Sequence, residues 1–108
     1  MSHKQIEELI LKIIQKADSN AILKRNVRTA GNLCVDIVRE EAGKTAAIEI
    51  KTTNFFDGFG RAMIWRDYFD SVYLVMPRSI LPHQQVLEKT PMEIGIIAYE
   101  LRNSQVKF

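Results

Sequence analysis

Two carboxylates and a lysine occupy positions from which they can act on the same ligand. Asp36 lies within residues 33–38, and Glu49 and Lys51 close residues 45–51. In both stretches apolar residues alternate with polar or small ones, which predicts two half-buried β-strands. Because side chains two apart on a strand share a face, Glu49 and Lys51 are expected to point together.

A polar segment with one glycine, residues 39–44, predicts the hairpin loop that joins these two strands. If the hairpin is symmetric about its central Ala-Gly pair, Asp36 lies directly across from Glu49, with Cβ atoms about 4.5–5.5 Å apart. Opposed carboxylates repel each other, and a divalent cation between them turns that repulsion into a binding site. The register therefore predicts a metal site at Asp36 and Glu49, and it places Cys34 opposite Lys51.

Alternation also assigns a buried side to each strand. Ile48 and Ile50 are expected in the core, on the face away from Glu49. On the first strand, one face is expected to carry Leu33, Val35 and Ile37, and the other Cys34, Asp36 and Val38.

An aspartate followed, after a strand-length gap, by Glu49-Ile50-Lys51 resembles the signature of the PD-(D/E)XK nucleases, with Val35 where that signature has proline. The resemblance covers nearly the whole chain, because the predicted elements follow the order αβββαβ(α)β. It implies an α/β, restriction-endonuclease-like fold, with a central mixed β-sheet flanked by helices. The small archaeal Holliday junction resolvases and the nuclease domains of mobile elements are similar in style.

The resemblance also implies an activity: hydrolysis of DNA phosphodiester bonds by an endonuclease that depends on Mg²⁺ or Mn²⁺ and could select junction-type structures. Asp36 and Glu49 would hold the metal, aided by the carbonyl of Ile50. Lys51 would position or help deprotonate the attacking water.

Two further residues are carried over from the resemblance. Such nucleases commonly add a glutamate from the first helix, and Glu7 is preferred to Glu8 because it lies at the edge of the apolar stripe of that helix. They also use a basic residue near the start of the second helix, which would be Arg61. The alternatives are a solvated flank residue for Glu7 and a surface charge for Arg61. Trp65 and Tyr68, on the same face as Arg61, are expected to be core aromatics.

Three cations mark the first predicted strand, residues 21–28. Lys24, Arg25 and Arg28 could contact DNA phosphates. The exposed face of an edge strand is also often rich in lysine and arginine, so both interpretations stay open.

Composition bounds the class of protein. With 108 residues, 46% hydrophobic and 26% charged, the chain is expected to form a single domain over residues 1–108. The net charge of +2 neither identifies nor excludes a nucleic-acid binder. One cysteine permits no internal disulfide, and neither histidine has a partner at zinc-ligand spacing. No stretch approaches the roughly 20 apolar residues of a membrane span, and the N-terminus is unlike a signal peptide, so the expected location is the cytoplasm.

The remaining elements follow from periodicity. The pattern predicts an amphipathic helix over residues 4–17, with Ser2 as a possible cap, and a second helix that Asp57 caps and that runs to about Tyr68. It also predicts strands over residues 71–76 and 94–99, a short helix within residues 79–89, and at most a little edge structure at residues 106–108.

Two other functions compete with the nuclease. A non-catalytic nucleic-acid-binding or regulatory module could keep the fold, although it has no need for two facing acids. A small α/β adaptor could carry the motif by chance. For the nuclease a homodimer is expected, because one metal site cuts one strand. The cluster of Phe55, Phe56 and Phe59, or the apolar strand at residues 94–99, could supply the interface.

Overall fold

A computed structural model describes residues 2–89, 93–102 and 105–108 of the chain. None of the helices in these ranges is long and apolar enough to cross a membrane. The elements are α1 (His3–Ala17), β1 (Ile22–Arg28), β2 (Cys34–Glu41), β3 (Lys44–Ile50), α2 (Phe55–Trp65), β4 (Ser71–Pro77), α3 (Gln84–Glu88), β5 (Ile94–Arg102) and β6 (Gln105–Lys107).

The strands form one mixed sheet in chain order, from β1 to β6. β1, β2 and β3 pair antiparallel as a meander, β3, β4 and β5 pair parallel, and β6 returns antiparallel along β5. The predicted α/β class, with a mixed sheet flanked by helices, is confirmed. The carboxyl ends of β3, β4 and β5 meet at one edge of the sheet, which is also where β2 begins.

A hydrophobic cluster lies on each face of the sheet. Residues of α1 pack on one face, in the cluster Ile6, Ile10, Ile37, Ile48, Ile50, Val75 and Tyr99. Residues of α2 pack on the other, in the cluster Val35, Val38, Ala47, Phe55, Ala62, Trp65, Val72, Leu74, Met76 and Ile94. The predicted burial of Ile48 and Ile50 is confirmed.

Both helices begin near the sheet edge at which β3, β4 and β5 end, and a side chain caps the start of each helix. Ser2 caps α1 through a reciprocal pair of hydrogen bonds with Gln5. α2 begins at Phe55, because the side chain of Asn54 accepts the backbone N–H of Asp57. The predicted cap at Asp57 is therefore wrong, and the helix ends at Trp65, before Tyr68.

Alternation breaks in the middle of β2. Val35 packs with the α2-side cluster, whereas Ile37 packs with the α1-side cluster, so the prediction that they share a face is wrong. β1 pairs with β2 on both sides of this point, but the pair that would join Asn26 to Asp36 is missing. Asn26 has a φ of 51°, in the left-handed region, and this kink accompanies the reorientation of β2 at Asp36.

The hairpin between β2 and β3 is tighter than the predicted loop. Glu41 pairs with Lys44, leaving Ala42 and Gly43 as a two-residue turn with φ values of 51° and 78°. Positive φ at both central residues is the requirement of a type I′ turn, which suits a glycine but strains an alanine.

Ala42→Asn is therefore expected to stabilise the protein by about 1 kcal/mol, because asparagine tolerates the left-handed region better than alanine does. Urea denaturation measures the free energy of unfolding, and Ala46→Asn, placed within β3, serves as the comparison. A stability unchanged or lowered by Ala42→Asn would contradict the strain at this turn.

Candidate active site

The β2–β3 hairpin has the predicted register, from the Glu41–Lys44 pair to the Ile37–Ile48 pair. The ladder ends there: the next pair of that register, Asp36 with Glu49, is not formed as a strand pair, although the charge of Asp36 acts on Glu49. The predicted apposition of Cys34 with Lys51 is not formed as a strand pair, because Cys34 remains paired with Arg28 on β1.

Where β2 and β3 separate, a side-chain oxygen takes the place of a backbone carbonyl as hydrogen-bond acceptor. In the register of the hairpin, the N–H of Ile50 would next bond to the carbonyl of Val35. Instead, Oδ2 of Asp36 accepts this N–H at 2.8 Å. The sheet therefore opens between β2 and β3, and the carboxylate of Asp36 lies in the opening.

His3 is a contact of Asp36 that the sequence does not predict. Its Nε2 lies 3.2 Å from Oδ2 of Asp36, within hydrogen-bond distance of this carboxylate. The two residues are 33 positions apart. Local spacing cannot reveal the contact, which arises because α1 begins above the opening in the sheet.

Glu49 is held from the opposite face of the sheet. It is 7% exposed, and its Oε1 accepts the indole N–H of the fully buried Trp65 at 2.8 Å. The prediction that Trp65 is a core aromatic is confirmed, and its contact with Glu49 is an addition. The same prediction for Tyr68 is wrong, because Tyr68 follows the end of α2 and its side chain is exposed. Because one oxygen of Glu49 is fixed by α2 and Oδ2 of Asp36 is fixed by Ile50, both carboxylates are oriented.

The surroundings of Glu49 disfavour its charged form. Burial, and after it the negative charge of Asp36, raise the pKa of Glu49 to about 7, although the hydrogen bond from Trp65 and the charge of Arg61 oppose the shift. A positive ion between the two carboxylates would remove this penalty, and no protein cation forms an ion pair with Glu49 among the described residues.

Oxygen donors at the opening suit a hard divalent cation. The N–H and carbonyl of one strand residue point to the same side, so the carbonyl of Ile50 faces the opening with its N–H. Among the described residues no three His, Cys, Asp or Glu side chains gather into a metal-binding group. Mg²⁺ often takes only one or two carboxylates and completes its shell with water and phosphate oxygens, so Asp36, Glu49 and the Ile50 carbonyl fit it.

Lys51 is placed by the last bond of β3 to β4. Its N–H donates to the carbonyl of Val75 at 2.9 Å, and its side chain is half-buried. Gly58 of α2 leaves room for the lysine stem, because a Cβ there would lie 3.0 Å from the Cβ of Lys51 and 3.0 Å from Cδ1 of Leu74.

If the site has the metal-dependent activity proposed below, Gly58→Ala is expected to lower turnover about 10-fold while metal affinity is kept, because the added methyl displaces Lys51 and not the carboxylates. Gly60→Ala is the matched control in the same helix, since a Cβ there meets nothing within 4 Å. Single-turnover rates and Mn²⁺ titrations compare the two variants. Equal rates would show that Gly58 does not place the lysine.

Glu7 is buried and Glu8 is exposed, as the helical wheel predicts. The guanidinium of Arg25 binds both oxygens of Glu7, at 3.4 Å from Nε and 3.2 Å from Nη2. The described contacts of Glu7 are thus with Arg25, and not with Asp36 or Glu49.

Of the other residues predicted to contact DNA, two lie at the sheet edge of the candidate site and one forms an ion pair on the surface. Lys24 is exposed and pairs with Glu40 at 3.1 Å. Arg61 donates to the carbonyl of Cys34 at 3.2 Å, beside the opening. Arg28 ends β1 at the same edge and is exposed.

An apolar groove of about 730 Å³ lies elsewhere on the protein, against α1 and the hairpin turn. Ile13, Tyr73 and Phe108 line it and are partly exposed. It holds no opposed pair of carboxylates, so the opening between β2 and β3 remains the candidate active site on chemical grounds.

Comparison with known proteins shows the fold and no family. No family model matches the chain, and no curated protein matches it. A solved structure described as the protein of unknown function AF1548 is similar with a TM-score of 0.63 and 14% identity, over 85% of this chain and 55% of that one. Another, the protein of unknown function SPO1766 from Silicibacter pomeroyi, has a TM-score of 0.57 and 17% identity, over 86% and 60% respectively. The chain thus spans a little over half the length of these two proteins.

Proposed function

We propose that this protein is a metal-dependent endonuclease that hydrolyses DNA phosphodiester bonds, with a restriction-endonuclease-like fold. One observation carries the proposal: the sheet opens at Asp36, so that its carboxylate faces the buried Glu49 beside Lys51. Glu49 is buried beside the half-buried Asp36, and its burial and this neighbouring charge, which together raise its pKa, destabilise the protein in the absence of a cation. Residues that cost stability and converge at a sheet edge are typical of a functional site.

Each residue of the site has a role in this reaction. Asp36, Glu49 and the Ile50 carbonyl would hold Mg²⁺ or Mn²⁺. When bound, the cation would polarise the scissile phosphate and lower the pKa of water. Lys51 orients the attacking water and offsets the charge that builds on the phosphate oxygens. Trp65 keeps Glu49 in one orientation, and burial of this carboxylate excludes competing water.

An activity assay tests the proposal directly. Labelled duplexes, flaps and four-way junctions are incubated with Mg²⁺, Mn²⁺ or Ca²⁺, and a parallel titration follows the melting temperature with Mn²⁺. We expect cleavage with Mg²⁺ and Mn²⁺ and a rise in melting temperature. A protein that neither cuts any substrate nor gains stability from Mn²⁺ would contradict the metal site. Stabilisation without cleavage would favour the non-catalytic nucleic-acid-binding module.

We further propose that the active unit is a homodimer, since two sites are needed to cut two strands. Phe55 is buried and stacks on Phe59, so of the aromatic cluster Phe56 is the exposed member, at 65%. Sedimentation equilibrium at micromolar concentration is expected to give about twice the chain mass of 12.4 kDa. A mass near 12.4 kDa that is unchanged by DNA and Ca²⁺ would contradict the dimer.

A further inference from the structure

A cleft of about 600 Å³, lined by both polar and apolar residues, lies where the three parallel strands end. Thr52 follows β3, Arg78 and Ser79 follow β4, and Glu100 and Arg102 belong to the last residues of β5, and all five line the cleft. In open α/β sheets, ligands bind outside the carboxyl ends of the strands. This arginine cleft is separate from the carboxylate pair but lies at the same sheet edge.

Two arginines are held in place on the wall of the cleft. Arg78 donates from Nη1 to Oε1 of Glu100 at 2.7 Å. Arg102 donates to Oε2 of the same carboxylate, from Nε at 2.9 Å and from Nη2 at 2.8 Å. Both arginine side chains remain 68% exposed, and most of their N–H donors are not used by Glu100. Because two cations share one anion, the group keeps a net positive charge.

The cleft and the candidate active site are linked by short stretches of chain. Thr52 is the next residue after Lys51, whose N–H bonds to Val75 on β4. β4 ends at Pro77, two residues after Val75, and Arg78 is the next residue. The arginines therefore follow the strands next to Lys51 along the same sheet edge.

We propose that the arginine cleft binds a backbone phosphate of the nucleic acid, adjacent to the phosphate that is cut. This inference rests on the proposed function. Guanidinium groups bind phosphate oxygens through paired N–H donors, and the hydroxyls of Thr52 and Ser79 add donors of the kind that contact phosphates. Glu100 keeps the two arginines in position before the nucleic acid arrives, and its negative charge limits the affinity of the cleft.

The role of Glu100 gives the proposal a distinctive consequence. Glu100→Gln keeps an oxygen that accepts from the arginines but removes the negative charge beside the phosphate. We therefore expect this variant to bind DNA about 2- to 5-fold more tightly. If the three residues only stabilise the sheet edge, the substitution leaves DNA affinity unchanged or weakens it.

Fluorescence anisotropy with a labelled 20-base-pair duplex, in Ca²⁺ to suppress cleavage, tests this. The double variant Arg78→Ala/Arg102→Ala is expected to bind about 10-fold more weakly at 0.1 M salt, with the slope of log K against log salt reduced by roughly 1. Its Mn²⁺-induced rise in melting temperature should equal that of the unmodified protein. Arg66→Ala is the matched control, since Arg66 pairs with Glu93 at the other end of the parallel strands.

The outcomes separate this proposal from the nuclease proposal. Unchanged affinity and salt slope in the double variant, or unchanged or weaker binding by Glu100→Gln, would overturn the cleft while leaving the metal site intact. Loss of DNA affinity in the double variant, in a protein that Mn²⁺ does not stabilise and that does not cut, would support the cleft and overturn the nuclease. Absence of DNA binding by the unmodified protein would overturn the cleft whatever the metal titration gives.

Discussion

Asp36→Asn is expected to lower Mg²⁺-dependent cleavage roughly 100-fold or more while the protein stays folded. The amide oxygen of asparagine can still accept the N–H of Ile50, so the opening between β2 and β3 is kept. What is lost is the negative charge that pairs with a divalent cation. Glu49→Gln and Lys51→Ala are expected to remove most cleavage for related reasons, namely loss of the second carboxylate and loss of the ammonium group.

Initial rates on the best-cleaved substrate of the panel measure the effect, and the melting temperature reports the fold. Asp67→Asn is the control, because it removes one carboxylate from an exposed position after α2. A general effect of charge would change both aspartate variants alike. Cleavage at the unmodified rate by Asp36→Asn would show that this carboxylate has no part in the reaction.

The register that brings the two acids near each other could be predicted, because it depends on local information. A short symmetric hairpin fixes which residues face each other, and the observed pairs keep that register up to the last one, Ile37 with Ile48. Helix periodicity likewise placed Glu7 inside and Glu8 outside. Both inferences use spacing within one element or between adjacent elements.

The supports of the two acids could not be predicted, because they depend on how separate elements dock. His3 reaches Asp36 from the start of α1, and Trp65 reaches Glu49 from the end of α2. The spacing of residues along the sequence indicates neither contact. The same holds for Arg25, whose partner Glu7 lies on another element, so that a residue expected to meet DNA forms an ion pair within the protein.

The break of alternation at Asp36 has a different origin. Asn26 adopts a positive φ opposite Asp36, and the face of β2 changes between Ile37 and Val35. Asparagine is enriched in this conformation, but most asparagines do not adopt it, so the sequence pattern alone gives regular alternation. Backbone irregularities of this kind are frequent beside functional sites, where they redirect a side chain.

Glu49 should make the stability of the metal-free protein fall as pH rises. Its pKa is about 7 in the folded protein, against an ordinary value of 4.5. Between these values the folded state keeps a proton that the unfolded state releases, so the stabilisation is present below pH 4.5 and is lost as pH rises through 7. The corresponding loss in the free energy of unfolding is at most about 3 kcal/mol.

Glu49→Gln is therefore expected to stabilise the protein in EDTA at pH 8, by up to about 3 kcal/mol, and to change stability little at pH 5. Its amide oxygen can still accept the indole N–H of Trp65, so packing is preserved. Urea denaturation at the two pH values measures the effect. Glu8→Gln, at an exposed position of α1, controls for removal of a carboxylate.

Metal should reverse the pH effect in the unmodified protein. A cation at 100 times its dissociation constant adds about 2.7 kcal/mol to the free energy of unfolding, and it binds the deprotonated pair, so Mn²⁺ stabilises more at pH 8 than at pH 5. Mn²⁺ should add little to the stability of Glu49→Gln at either pH.

The chain has a single tryptophan, hydrogen-bonded to Glu49, so its fluorescence reports the deprotonation of Glu49 independently of unfolding. We expect a fluorescence transition near pH 7 that Mn²⁺ moves to lower pH and that Glu49→Gln abolishes. A transition that persists in Glu49→Gln, or that Mn²⁺ does not move, would show that the two carboxylates do not share a cation.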